Sequence, residues 1–239
     1  MNIVYNMDCM EGLKDYPDKY FDLAIVDPPY GINVGSTPGG GNKTFLPFGG
    51  TRARIGGDKP FGKNDSGRGK SYEPKSYKAF DDSHIPDASY FAELERVSKN
   101  QIMWGGNYFL DHLKATPCMI VWDKKRRGIN FADCEIAWTS FKSPCRIFEF
   151  RWNGMLHGDM KEKEKRIHPT QKPVALYEWL LRNYAKEGDK ILDTHVGSGS
   201  SRIAAEKLGF DFVGYEIDEF YFNEQEKRFK ESVWTIPMF

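Results

Sequence analysis

Short apolar runs recur along the chain and predict the strands of an α/β sheet. The clearest is Phe-Asp-Leu-Ala-Ile-Val at residues 21–26. Continuous apolar runs of this length are typical of strands buried on both faces. Apolar residues recur at helical spacing between and after these runs. The predicted strands are 2–5, 21–26, 101–104, 118–122, 133–138, 145–152, 190–193 and 211–215, and the predicted helices include 89–97, 107–113, 174–184 and 218–232.

The run at 21–26 ends in Asp27, Pro28, Pro29 and Tyr30. Two successive prolines cannot donate to a sheet ladder, so the strand stops there. Open α/β sheets bind ligands at the carboxyl ends of their strands. The Asp27 carboxylate and the Pro28 carbonyl can each accept one N–H of an exocyclic amine, and the Tyr30 ring can stack on the base that carries it. The alternative is a strand ended by prolines, with a tyrosine at the surface.

A second strand tip carries a glycine-containing turn. The strand that ends in Asp193 is followed by Thr194, His195, Val196, Gly197, Ser198, Gly199 and Ser200, and then by a helix. Arg202 stands where the third glycine of a dinucleotide fingerprint would fall, which disfavours a pyrophosphate. Glu216 lies about 20 residues beyond Asp193, where an acidic residue commonly binds ribose hydroxyls. A nucleoside without phosphates, held by Gly197, Gly199 and Glu216, indicates S-adenosyl-L-methionine.

The segment His168-Pro169-Thr170-Gln171-Lys172-Pro173 precedes a predicted helix. Pro173 is suited to the first turn of that helix. A helix N-terminus with Thr170 and Lys172 beside it attracts an anion.

Net charge is zero, with 34 basic and 34 acidic residues, so a polyanionic partner has to be argued from local charge. Residues 31–78 contain nine basic and three acidic residues together with many glycines. Such a loop beside a strand tip suits a lid that binds a phosphate backbone, and a solvated flexible insertion is the alternative. A basic run after the strand at 118–122 is a further phosphate contact or a solvated turn. The candidate nucleic-acid contacts are Lys43, Arg52, Arg54, Lys124, Lys125, Arg126 and Arg127.

The four cysteines are widely spaced and form no metal-ligand pattern, which indicates reduced thiols and no metal site. We find no secretion signal and no apolar run of membrane-spanning length, so we expect a cytoplasmic protein without a membrane partner.

The order of these motifs resembles that of the β-class DNA adenine-N6 methyltransferases, in which the catalytic half precedes the cofactor half. Asp27 to Tyr30 matches the catalytic tetrapeptide, residues 6–9 resemble the cofactor-adenine segment, and residues 168–173 resemble the segment at the methionine end of the cofactor. The resemblance implies a Rossmann-like methyltransferase fold of class α/β, with a mixed, mostly parallel sheet, helices on both faces and circularly permuted order. It also implies double-stranded DNA as partner and a homodimer. The implied cofactor-binding residues are Asp8, Cys9, Asp27, His168, Thr170, Lys172, Asp193, Thr194, Gly197, Ser198, Gly199, Ser200, Glu216 and Ile217.

Three points are left open by the sequence. Asp8 can be a helix cap instead of a cofactor ligand. The family usually has Asp-Pro-Phe where this chain has Asp193-Thr194-His195, so His195 is either a cofactor neighbour or a loop histidine. We predict a single domain over residues 1–239, with the basic insertion at 31–80 and a small recognition region at 139–167, for which a plain exposed loop is the alternative.

The same motifs admit other activities. Cytosine-N4 methylation uses a similar amine, but the related enzymes more often begin the tetrapeptide with Ser. Methylation of an RNA adenine or of a protein amide is a further alternative, as is a non-catalytic module that binds DNA and cofactor.

Overall fold

The computed structural model describes residues 1–32, 77–125, 127, 132–153, 156–157 and 164–234. The strands in this part of the chain are β1 (Asn2–Tyr5), β2 (Phe21–Val26), β3 (Ser98–Trp104), β4 (Met119–Asp123), β5 (Cys134–Thr139), β6 (Arg146–Glu149), β7 (Trp152–Asn153), β8 (Leu156–His157), β9 (Lys190–Asp193) and β10 (Asp211–Tyr215). The helices are α1 (Cys9–Gly12), α2 (Ala88–Val97), α3 (Val174–Tyr184), α4 (Ser200–Lys207) and α5 (Glu219–Trp234).

Eight of the described strands form one sheet in the order β1-β10-β9-β2-β3-β5-β4-β6. The first five strands in this order, β1, β10, β9, β2 and β3, run parallel to one another. Strand β4 also pairs parallel with β6. Strand β5 is antiparallel to both of its neighbours, β3 and β4. The strand order reverses between β9 and β2, which creates a switch point where open α/β sheets bind ligands. The predicted mixed, mostly parallel sheet is confirmed, as is the order that places the β2 motif before the β9 motif.

Helices cover both faces of the sheet. On one face, α3 and α4 contribute Leu176, Leu180 and Ile203 to a core with β2, β3 and β9 residues. On the other face, Leu94 and Val97 of α2 pack against residues of the same strands. Helix α2 buries one apolar stripe, as amphipathic spacing predicts, whereas α4 buries six consecutive residues, Ser200 to Ala205.

The predicted helix over residues 107–113 is wrong. Gly105 has a left-handed backbone (φ +70°), and a short 3₁₀ turn, Gly106–Tyr108, follows it. A Cβ on Gly106 would lie 2.6 Å from the Cβ of Trp138, so the chain passes too close to β5 for a regular helix with side chains to start there. Phe109 is then fully buried, which directs the chain back to the core.

The insertion predicted at 31–80 lies largely outside the described residues, and so do Lys43, Arg52, Arg54 and Arg126. Within the described ranges, we find no helix that is long and apolar enough to cross a membrane. The same ranges contain no cluster of His, Cys, Asp and Glu with the arrangement of a metal site.

Candidate active site

The two predicted strand tips lie side by side. Strands β2 and β9 pair in parallel, with Leu23 opposite Ile191 and Ala24 opposite Leu192. Asp27 directly follows β2, and Asp193 is the last residue of β9, so both motifs leave the sheet at the same edge. Residues that are more than 160 positions apart in sequence therefore converge at the switch point of the sheet.

The Asp27 carboxylate is held from two sides. Its Oδ1 accepts a hydrogen bond from the Tyr30 hydroxyl, and its Oδ2 forms an ion pair with Nζ of Lys172. The backbone of the tetrapeptide is fixed by Asp82, whose Oδ1 accepts from the amides of Tyr30 (2.8 Å) and Gly31 (3.2 Å). Asp27 thus has a defined position at the tip of β2, with both oxygens engaged.

The Tyr30 ring lies against the turn that follows β3. A Cβ on Gly105 would lie 2.2 Å from Cε1 of Tyr30, so this position requires glycine for close approach as well as for its left-handed backbone. The ring of Tyr108 stacks on Tyr30, with 5.0 Å between the centroids and an interplanar angle of 15°. Phe109 meets the same ring at an edge. Tyr108 is 43% exposed, so the stacked pair opens to the surface.

Lys172 belongs to a chain of alternating charges. Its Nζ lies 3.2 Å from Oε2 of Glu135, in addition to its contact with Asp27. The other oxygen of Glu135, Oε1, accepts from Nζ of Lys124. Burial by itself would raise the pKa of Glu135, but the charges of Lys172 and Lys124 outweigh it and lower that pKa to about 2. Burial opposes the charged form of Lys172 as well, but the carboxylates of Asp27 and Glu135 raise its pKa.

Glu216 orders the turn beyond β9. Its Oε2 accepts from the amide of Gly197 (2.8 Å), and its Oε1 accepts from the amide of Asp218 (2.9 Å). Gly197 and Gly199 both have left-handed backbones, with φ of +52° and +75°. This turn borders a cavity lined by Met7, Asp8, Cys9, Thr194, His195, Tyr215, Glu216 and Ile217.

The lining of the cavity suits a nucleoside. A fixed carboxylate at Glu216 can accept from ribose hydroxyls, because each oxygen has a lone pair beyond the one its backbone amide uses. Met7 and Ile217 provide apolar contacts for a base, and Ile217 is 69% exposed at the rim. Among the described residues, no lysine or arginine lines the cavity, which suits a ligand without phosphates.

Asp193 has a structural role in the same turn. Its carboxylate accepts from the amide of His195 (3.0 Å) and from the Ser201 hydroxyl, and the residue is 1% exposed. Burial raises its pKa to about 7, with smaller contributions from the charges of Asp27 and Glu216. Asp193 therefore ties the start of the turn to the first turn of α4.

Residues 114–227 match the model of the DNA methylase family N6_N4_Mtase. The chain is also 24% identical to the Type II methyltransferase M.HinfI of Haemophilus influenzae, over 97% of this chain and 69% of that protein. These matches support a DNA methylase family for this chain. The resemblance deduced from the motifs is confirmed at that level.

Two solved structures resemble the methylase in fold. The M1.HpyAVI-SAM complex aligns with a TM-score of 0.53 and 19% identity, over 95% of this chain and 100% of that one. The PvuII DNA methyltransferase (cytosine-N4-specific) aligns with a TM-score of 0.57 and 12% identity, over 98% of this chain and 90% of that one. The predicted Rossmann-like methyltransferase fold is confirmed.

Several predicted cofactor residues of the methylase also have structural partners. Asp8 caps α1, because its Oδ1 accepts from the amide of Met10 (2.8 Å), and it lines the cavity as well. His168 is buried between Phe80 and Tyr221, and its Nδ1 accepts from the amide of Thr170. Burial lowers the pKa of His168 to about 3, so the imidazole is neutral. Direct contacts of His168 and Thr170 with a cofactor remain a prediction.

The predicted DNA contacts of the methylase divide into two groups. Lys125 and Arg127 are exposed and pair with Glu149 and Asp123 at the surface, where a phosphate could replace those partners. The side chain of Lys124 is only 8% exposed and is bound to Glu135. The structure therefore corrects the prediction for Lys124, which stabilises the interior of the site instead of facing a phosphate.

Glu135 and Tyr108 belong to the site but were not predicted from the sequence. Glu135 interrupts a strand of mainly apolar residues, and a charged residue in such a strand needs a partner when it is buried. Tyr108 follows a Gly-Gly pair at the carboxyl end of a strand, which is the same kind of position as Tyr30. Both features can be seen in the sequence, but neither shows which residue Glu135 or Tyr108 contacts.

Replacing His195 with Phe is expected to make the stability of the methylase less dependent on acid. Burial lowers the pKa of His195 from 6.5 to about 4. As the pH falls through this interval the unfolded chain gains a proton that the folded chain does not, so the free energy of unfolding decreases. Between pH 7 and pH 5 this loss should be about 2 kcal/mol smaller in His195→Phe, as measured by urea unfolding.

Urea unfolding of the parent chain at pH 7 and pH 5 is the reference for this variant. The raised pKa of Asp193 has the opposite effect on stability, because it makes folding less favourable as the pH rises. This contribution is the same in the parent chain and in His195→Phe, since both retain Asp193. An equal loss in His195→Phe and the parent chain would contradict the half-buried, neutral imidazole.

Proposed function

We propose that the chain transfers a methyl group from S-adenosyl-L-methionine to N6 of an adenine that is flipped out of double-stranded DNA. The observation that carries this proposal is the position of Asp27 and Tyr30 at the tip of β2, beside the cavity at the tip of β9. An amine acceptor site and a cofactor cavity are thereby adjacent.

The chemistry follows from the groups at the β2 tip. The lone pair of the adenine amine is delocalised into the ring, which makes the amine a poor nucleophile. Hydrogen bonds from the amine to the Asp27 carboxylate and the Pro28 carbonyl favour a pyramidal nitrogen and orient its lone pair. The negative charge of Asp27 then stabilises the positive charge that develops on nitrogen. Asp27 is also the acceptor nearest to the proton that the amine loses.

The cofactor site is assigned to the β9 side. Glu216 would hold the ribose, and Met7, Cys9 and Ile217 would contact the adenine ring of the cofactor. Bound S-adenosyl-L-methionine supplies a methyl group on a positively charged sulfur. The negative charges of Glu216 and Asp27 suit a ligand that carries this cation.

The choice of adenine over cytosine rests on Asp27 as the first residue of the tetrapeptide. Cytosine-N4 methylation is the second candidate, because cytosine presents an exocyclic amine of the same kind and a cytosine-N4-specific enzyme has a similar fold. Transfer of a labelled methyl group to duplex DNA, followed by nucleoside analysis, tests the assignment. N6-methyladenine is expected; N4-methylcytosine would support the second candidate, and an unlabelled duplex would refute both.

DNA binding is assigned to surfaces around the same edge of the sheet. Lys125 and Arg127 lie just beyond the tip of β4 and provide exposed positive charge. The basic residues 43, 52, 54 and 126 of the sequence and the region 139–167 are proposed to share DNA contacts. A homodimer and the single-domain organisation remain expectations from the resemblance.

Tyr108→Ala is expected to weaken productive DNA binding. The face of Tyr30 that Tyr108 covers is available to a base only if the two rings separate, and the base then stacks between them. Loss of one aromatic wall should raise KM for DNA about 10-fold, since base stacking on an aromatic side chain is worth about 1–3 kcal/mol. Steady-state kinetics on duplex DNA would measure this change.

Tyr108→Phe is the conservative control and should behave as the parent chain, because it keeps the ring. A KM for DNA that falls in Tyr108→Ala would show instead that the Tyr108 ring blocks the base site.

A further inference from the structure

Each oxygen of Asp27 already accepts from one donor in this structure. Its Oδ1 is occupied by the Tyr30 hydroxyl, and its Oδ2 by the Lys172 ammonium. The proposed function requires the target amine to donate to this carboxylate. The entering amine therefore shares the carboxylate with two donors, and its hydrogen bond becomes stronger when one of them moves to another acceptor.

Lys172 is the donor with another acceptor close by. Oε2 of Glu135 lies 3.2 Å from its Nζ. This oxygen is buried, yet it accepts no well-aligned hydrogen bond within the described part of the chain. A buried acceptor in that condition costs free energy until a donor reaches it. The ammonium can thus move from Asp27 to Glu135 with a small displacement and gain a hydrogen bond there.

The surroundings keep both lysines in place. Nζ of Lys172 lies 5.5 Å from the ring centroid of Trp104, and Nζ of Lys124 lies 4.8 Å from that of Trp122. The two indoles meet edge to face, with 6.5 Å between their centroids. Cation–π contacts of this kind stabilise a desolvated ammonium. Glu135 lies between two lysines that can shift only slightly.

We propose that Glu135 is a positioning residue that takes the Lys172 ammonium when the target amine binds Asp27, an inference that rests on the proposed function. While it contacts Asp27, the Lys172 ammonium neutralises the carboxylate nearest to the developing cation. Its movement to Glu135 takes that positive charge away from the amine, while Asp27, Lys172, Glu135 and Lys124 together remain neutral. Lys124 is bound to the far oxygen of Glu135 and fixes that carboxylate in position.

A double-mutant cycle on kcat tests this role. Glu135→Gln retains the shape of the side chain and removes its charge, so Lys172 stays on Asp27. We expect kcat on duplex DNA to fall about 10- to 100-fold, as for the loss of a hydrogen bond to a charged group. Because Glu135 acts through Lys172, the same substitution in the Lys172→Met background should change kcat by no more than about twofold.

Glu178→Gln is a closely matched control. Glu178 also forms a 3.2 Å ion pair with a lysine, Lys207, and its side chain has the same exposed fraction as that of Glu135, 27%. This variant should retain the parent kcat. An undiminished kcat in Glu135→Gln would overturn the proposal, and so would an equal loss in the Lys172→Met background.

A binding measurement without cofactor provides a second readout. The methylated site is mapped first. The Kd is then compared for two duplexes, one with adenine at the target position and one with purine, which lacks the amine. The parent chain should bind the adenine duplex about 10-fold more tightly, and Glu135→Gln should bind both alike. A preference for adenine that persists in Glu135→Gln would contradict the transfer of Lys172.

The outcomes also separate this inference from the proposed function. If the parent chain methylates cytosine, the adenine assignment fails, but the cycle still tests Glu135, because the cytosine amine would use the same carboxylate. If the parent chain methylates no base, both proposals fail. If it methylates adenine and Glu135→Gln is fully active, only the inference fails.

Discussion

Asp27→Ala is expected to abolish methyl transfer while cofactor binding is retained. The substitution removes the acceptor that orients the target amine and the charge that stabilises the developing cation. Loss of both effects should lower kcat by at least about 1000-fold. The cofactor cavity is formed by other residues, so the Kd for S-adenosyl-L-methionine, measured by calorimetry, should change little.

Two variants make this result specific. Asp27→Asn keeps an acceptor oxygen but removes the charge. Higher activity in Asp27→Asn than in Asp27→Ala would measure the contribution of orienting the amine, separately from stabilisation of the developing cation. Asp111→Ala removes an exposed carboxylate beyond the Tyr108 turn and should remain fully active. Substantial activity in Asp27→Ala would refute the role of Asp27, and loss of cofactor binding would indicate a disordered site.

Glu216→Ala is expected to impair cofactor binding most strongly. The substitution removes the ribose acceptor, and it also removes the partner of the Gly197 amide that fixes the turn after β9. We expect the Kd for S-adenosyl-L-methionine to rise about 100-fold, as for the loss of two hydrogen bonds of about 1.5 kcal/mol each. Calorimetry or fluorescence titration would measure the change.

Glu219→Ala is the control for this variant, because Glu219 is an exposed carboxylate in the first turn of α5, three residues farther along the chain. Its Kd for the cofactor should equal that of the parent chain. Unchanged cofactor affinity in Glu216→Ala would place the ribose elsewhere.

The strand tips could be predicted because their signals are local. Prolines at 28 and 29 end β2, and the glycines at 197 and 199 allow the left-handed turn after β9. Both features are determined by a few consecutive residues. That β2 and β9 lie side by side followed from the order of motifs in the resembling family, and the strand register confirms it.

The electrostatics of the site could not be predicted, because they depend on tertiary contacts. Lys172 was expected to favour an anion at a helix N-terminus. Pro173 has an extended backbone (φ −70°, ψ 147°), so α3 begins only at Val174 and Lys172 precedes it. Its ammonium then reaches carboxylates from β5 and from the tip of β2. The position of Glu135 depends on β5 running antiparallel, which no local pattern specified.

The edge strand β1 pairs with a strand from a distant part of the sequence. Its partner in the sheet is β10, and the pairing of Asn2 with Phe212 joins residues 210 positions apart. During synthesis on the ribosome, β1 therefore cannot pair with β10 until about 200 further residues have emerged. The cavity between Asp8 and Glu216 closes at the same stage, so a nascent chain acquires its cofactor site only after Glu216 has left the ribosome.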